Sequence, residues 1–197
     1  MIPDMVLSTQ SAPATFVGGR SFPVQKHIDY EYGPIATQDA SKGSMHQIWR
    51  ARMENQFVYL SAPNVAEFIL LDLPGVTEIS FTFDQNANVI FAYVQDGLAK
   101  LYWFDASIGD YVTTVFGADV LTPRITLDDK RLTQRSVSDV LLFYQRDSKL
   151  MMRMQRERFS IEHALASGVT DGVVKCGMMR NLRVGVQLAQ YQPAVLL

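Results

Sequence analysis

A single cysteine, Cys176, stands in the 197-residue chain, so no intrachain disulfide can form and nothing points to a disulfide-stapled scaffold. No apolar run reaches the ~18–20 residues that a membrane-spanning helix needs. The opening Met1-Ile2-Pro3-Asp4 has neither the basic start nor the apolar core of a secretory signal. These absences predict a chain that stays in a cytoplasm or is built there into something larger. Histidine is scarce: His27, His46 and His163 stand far apart, with no second ligand at zinc spacing. The nucleophile elbow, the phosphate loop and the dinucleotide glycine fingerprint are all missing. No catalytic residue, cofactor or metal ligand is therefore assigned. Net charge is only −2, so the chain as a whole is not built to coat a polyanion. Blocks of the helix formers Ala, Glu and Lys are scarce as well, while aromatics reach 11%, which favours β structure.

What is present divides the chain in three. Residues 1–45 carry Pro3, Pro13, Pro23 and Pro34 at about ten-residue intervals, with Gly18, Gly19, Gly33 and Gly43 between them. Proline removes backbone donors and glycine adds entropy, so neither a long helix nor a central strand is expected. The stretch reads as an extended arm on its own domain or on a neighbouring copy. A few short edge strands of the core are the simpler alternative. Residues 46–189 read as a β-repeat domain. Residues 190–197 form an apolar tail ending Val195-Leu196-Leu197.

Within the middle part, strands and turns alternate. Gln47–Met53, Phe57–Ala62, Ala66–Leu73, Glu78–Phe83, Val89–Val94, Leu98–Phe104 and Tyr111–Phe116 read as strands, and Asp96-Gly97 is a strong hairpin signal. The cycle then repeats. Phe81-x-Phe83-Asp84 matches Ile125-x-Leu127-Asp128, and Gln95-Asp96-Gly97 matches Arg146-Asp147-Ser148. A weaker copy begins at Gln47 and turns at Glu54-Asn55. A period of about 45 residues with up to four strands is blade-like. The expected fold is mainly β: antiparallel sheets from about three blade-like repeats, as a partial propeller or a β-sandwich. Two last strands, Val173–Gly177 and Leu182–Ala189, follow the turns at Ser167-Gly168 and Asp171-Gly172.

Few residues invite a chemical reading. Asp84-x-Asn86-x-Asn88 resembles the start of a calcium loop, but Val89 and Gln95 replace the loop's glycine and bidentate glutamate. A self-capped turn uses the same residues. Arg124, Lys130, Arg131, Arg135, Arg146, Lys149, Arg153, Arg156 and Arg158 crowd one stretch against five acids. A solvated strand face or an arginine-rich subunit contact explains them better than nucleic acid does. Asp105, Asp110, Tyr102 and Trp103 sit near one loop and suit a sugar, although aromatics in blades usually pack. Cys176, inside Val173–Gly177, reads as an inert buried thiol.

Several segments together resemble tailed-bacteriophage virion proteins. They are Tyr32-Gly33-Pro34-Ile35-Ala36, His46-Gln47-Ile48-Trp49-Arg50-Ala51-Arg52, Ser61-Ala62-Pro63-Asn64, Pro74-Gly75-Val76-Thr77-Glu78, Ala92-Tyr93-Val94-Gln95-Asp96-Gly97, Thr122-Pro123-Arg124 and Gln155-Arg156-Glu157-Arg158-Phe159. The chain is similar over about residues 32–185 to phage tail and neck structural proteins with propeller-like repeats. That resemblance implies a non-enzymatic virion component, assembled in the host cytoplasm into a homo-oligomeric ring with other virion proteins. It transfers no functional residue. The alternative is a glycan-binding adhesin of the tail-fibre type. A sialidase-like hydrolase fits poorly, because no carboxylate pair is legible.

Overall fold

The computed structural model describes residues 5–9, 16–17, 28–34, 46–129, 138–179 and 183–189. These form sixteen strands in four four-stranded sheets. Sheet I runs β3 (Ile28–Pro34), β4 (His46–Glu54), β5 (Phe57–Ala62), β6 (Val65–Asp72). Sheet II runs β7 (Val76–Phe83), β8 (Val89–Gln95), β9 (Leu98–Asp105), β10 (Asp110–Gly117). Sheet III runs β11 (Leu121–Asp128), β12 (Asp139–Arg146), β13 (Lys149–Met154), β14 (His163–Ser167). Each is a meander of sequential antiparallel hairpins. Sheet IV joins the two ends of the chain in the order β1 (Met5–Thr9), β16 (Val184–Leu188), β15 (Val173–Met179), β2 (Phe16–Val17), and β1 lies parallel to β16.

The expected β-rich fold with blade-like repeats is what the chain adopts, and the three repeats legible in the sequence are sheets I, II and III. Their matching turns are structural equivalents. Glu54 pairs Phe57, Gln95 pairs Leu98 and Arg146 pairs Lys149, each across a two-residue turn. Asp96 and Gly97 have φ of 52° and 75°, and Asp147 and Ser148 of 50° and 55°. Positive φ at both central residues is the turn whose twist matches paired strands. Pro123 sits inside β11, where Thr122 has a φ of 50° and the register with β12 slips between Leu121 and Arg124. A bulge is where a strand tolerates a proline.

Three stretches of residues 1–45 are described, and all three are edge strands of the chain's own sheets: β1, β2 and β3. β3 also completes the first repeat, upstream of Gln47. Its inward positions are Asp29, Glu31 and Gly33, while Tyr30 and Tyr32 are more exposed, the reverse of the apolar-in pattern that marks a strand in sequence. Gly33 is required for space. A Cβ there would fall 2.4 Å from the Phe83 ring and 2.6 Å from Trp49. The tail at 190–197 lies outside the described residues.

With sheets packed on either side, β8 and β12 are buried on both faces. In β12, Val140, Leu142 and Tyr144 pack towards sheet II, while Leu141 and Phe143 pack towards sheet IV. In β8, Phe91 and Tyr93 face sheet I, while Ile90 and Ala92 face sheet III. This explains the near-continuous apolar runs in those strands. Three apolar clusters thus glue I to II, II to III and III to IV. Among the described residues no such cluster joins IV back to I, and the four sheets fit the expected partial propeller or β-sandwich.

The leading strands contact one another in the order β3, β7, β11, β15, and Asp29 and Glu31 of β3 lie within electrostatic reach of Cys176 on β15. They are stitched by side chains. The Phe81 N–H donates to Asp29 Oδ2 at 2.8 Å, and the Ile125 N–H to Ser80 Oγ at 3.1 Å. The Val173 N–H donates to Thr122 Oγ1 at 2.8 Å, and Arg124 Nε to the Val174 carbonyl at 3.2 Å. A polar side chain on each leading strand therefore meets a backbone group of the next, which satisfies donors that the sheets leave unpaired.

Candidate functional site

Asp84 closes the turn after β7. Its Oδ1 accepts the Asn86 and Asn88 N–H groups at 2.8 and 2.9 Å, and its Oδ2 accepts Asn88 Nδ2 at 3.0 Å. The Asp-x-Asn-x-Asn pattern is thus spent on its own backbone. Among the described residues no group of three or more His, Cys, Asp or Glu is placed to hold a metal ion. Asp105 closes the β9–β10 turn in the same way, accepting the Ser107 N–H at 3.0 Å and its hydroxyl at 2.7 Å. The Ser107 hydroxyl, and after it Arg158, hold the Asp105 carboxyl below its ordinary range against the opposing effect of desolvation.

From sheet III comes the short 3-10 turn Gln155–Glu157, and after it an unusual pair: Arg158 and Phe159 both have φ of 53°. Consecutive non-glycine residues in the left-handed region are costly and persist only when the surroundings hold them. Here Phe159 is buried against Trp103, ring centroids 5.2 Å apart at 80°, and its carbonyl accepts Arg153 Nη1 at 2.7 Å. That plug aims Arg158 back across the junction, where Nη2 meets Asp105 Oδ2 at 2.5 Å. Arg156 Nε sits 3.3 Å from Asp139 Oδ2, and the Arg156 N–H donates to Asp139 Oδ1 at 3.1 Å. Burial pushes the Asp139 carboxyl above its ordinary range, and the Arg156 N–H and guanidinium pull the other way. Gln155 Nε2 reaches Asp84 Oδ2 at 3.3 Å.

These groups surround a cleft of about 300 Å³ at the junction of sheets II and III. Its polar rim comes from Asp84, Asn86, Asn88 and Ser107 of sheet II and from Gln155, Arg156 and Arg158 of sheet III; Trp103 and Leu127 also line it. The volume lies at the low end of the roughly 300–1,000 Å³ typical of small-molecule sites.

The sugar-like set is split by this geometry. Asp105 and Trp103 line the cleft. Tyr102 instead stacks on Tyr111 at 4.7 Å, and Asp110 Oδ1 accepts the Tyr111 N–H at 2.7 Å. The arginine-rich stretch resolves into intrachain pairs. Arg124 binds Glu78 at 2.8 Å, Arg146 binds Asp119 and Glu162 at 2.7 Å each, and Arg156 and Arg158 hold the acids named above. Lys130, Arg131 and Arg135 lie outside the described residues. His163 Nε2 meets Glu157 Oε2 at 2.7 Å. Cys176 is buried, and burial pushes its thiol well above the ordinary range. Sequence reasoning missed Gln155 and Arg158 as partners of the sheet II turns, because nothing local places residues 53 and 71 positions apart together.

No family model, curated protein or solved structure matches the chain. Among the described residues no helix is long and apolar enough to cross a membrane.

Proposed function

We propose that the chain is a non-enzymatic assembly module of the kind found in the tail or neck of tailed-phage virions, working by burial of its outer strands against neighbouring subunits. One observation carries this reading. The outermost strand of sheet I, β6, has one edge unpaired among the described residues and exposes Phe68 (40%) and Ile69 (54%). An exposed apolar edge is a template for further strand pairing, and proteins that remain monomeric blunt it. Sheet II adds Val115, exposed on its outermost strand β10. The virion setting in this reading comes from the sequence segments that resemble virion proteins.

The test is light scattering of the purified chain together with mass spectrometry of purified particles. Ile69→Lys places a charge on the edge without touching the core. The full chain is expected to associate with rising concentration, the variant to stay monomeric with an unchanged melting temperature. A chain that is monomeric throughout and absent from particles would sink the proposal. A second reading, a glycan-binding adhesin, is favoured by the cleft between sheets II and III.

A further inference from the structure

The cleft has a chemistry that selects among ligands. Its carboxylates Asp84, Asp105 and Asp139 are buried, at 5%, 3% and 7% exposure. An anion would have to displace Asp105 from Arg158 or Asp139 from Arg156, since each guanidinium already holds a carboxylate. A hard cation would need convergent free oxygens, whereas Asp84 is engaged by two backbone N–H groups and two side-chain amides. What remains is a rim that offers both donors and acceptors. The guanidinium groups of Arg156 and Arg158 are largely exposed and each carries five N–H donors. Beside them lie the amides of Asn86 and Gln155 and the Ser107 hydroxyl. Trp103 and Leu127 supply an apolar wall beneath. Hydroxyl groups both donate and accept, and the carbon skeleton of a sugar suits an apolar wall.

We propose that this cleft binds a neutral sugar of one or two rings, with Asn86, Ser107, Gln155, Arg156 and Arg158 as its hydrogen-bonding rim. The proposal rests on the adhesin reading and names its ligand class. It is independent of the assembly module: titration tests the one, light scattering the other.

The chain supplies its own reporter, because it has two tryptophans and only one is in the cleft. Trp103 lines the cleft and its Nε1 donates to Thr114 Oγ1 at 3.1 Å, whereas Trp49 packs between sheets I and II. Indole N–H resonances of the full chain are followed while methyl glycosides of glucose, galactose, mannose, rhamnose and N-acetylglucosamine are titrated, with sodium sulfate and calcium chloride in parallel. The expected result is a saturable shift of the Trp103 resonance with at least one glycoside and no shift at Trp49. Asn86→Trp and Ala106→Trp fill the exposed rim from one wall. Each is expected to weaken binding at least about tenfold at an unchanged melting temperature. If one variant fails to fold, the other carries the test. No shift with any glycoside, a shift that survives both variants, or saturation by sulfate or calcium alone would each overturn the proposal.

Discussion

Asp29 is 2% exposed, and its carboxylate faces Arg124 of β11, Glu31 of its own strand and Cys176 of β15. Glu78 of β7 in turn holds Arg124. Burial raises the Asp29 pKa from 3.8 to about 6, against the pull of the Phe81 N–H, Arg124, Ser80 and the Tyr30 N–H. A folded-state value above the unfolded one means that the native state binds the proton more tightly. The stability linked to Asp29 is therefore whole below about pH 4, declines as pH rises from about 4 to 6, and is lost above that. A shift of about two units corresponds to roughly 3 kcal/mol at 1.36 kcal/mol per unit. Asn is uncharged and nearly isosteric, but its amide nitrogen cannot accept, so one of the two N–H groups that Asp29 accepts, of Phe81 and Tyr30, loses its partner at every pH. Relative to the parent, Asp29→Asn should therefore gain up to about 3 kcal/mol between pH 3.5 and pH 8, on top of that constant cost. Glu31 is raised too, first by burial, with Asp29 adding to it. Urea unfolding followed by tryptophan fluorescence at half-unit pH steps measures the difference. A stability difference that does not move in favour of the Asn variant as pH rises from 4 to 6 would refute the reasoning.

Two glycines separate space from backbone conformation. Gly33→Ala should cost about 1–3 kcal/mol, because its Cβ meets the Phe83 and Trp49 rings under 3 Å. Gly97→Val meets nothing within 4 Å, so its expected loss of about 1 kcal/mol or more comes only from the φ of 75°; equal melting temperatures would argue against it. Cys176 should react with iodoacetamide only as fast as the chain unfolds, since it is 2% exposed and burial raises its thiol. Rapid native-state alkylation would show that sheets III and IV part more easily than their shared core implies.

The hairpins were legible because each depends on neighbours in sequence. Asp96-Gly97 and Asp147-Ser148 set the turn, and the apolar runs from Val89 and from Val140 set the strands beside them. Backbone conformation over a few residues is a local property, so even the repeat spacing could be read from one copy to the next. What joins the sheets is not local. Asp29 reads as a solvent-facing acid in a proline-rich arm until β7 lies alongside and the Phe81 N–H, 52 residues away, needs an acceptor. Sheet IV requires the two ends of the chain to pair, and no pattern within either end announces its partner. The cleft follows the same rule. Asp84 and Asp105 each close their own turn by local chemistry, and that much the residues dictate. Gln155 and Arg158 arrive across the II–III junction only because Phe159 plugs the core beneath Trp103 and holds two left-handed residues that would relax if left in water. Local sequence determined the strands and turns; burial between sheets decided which buried acids, arginines and chain ends would meet.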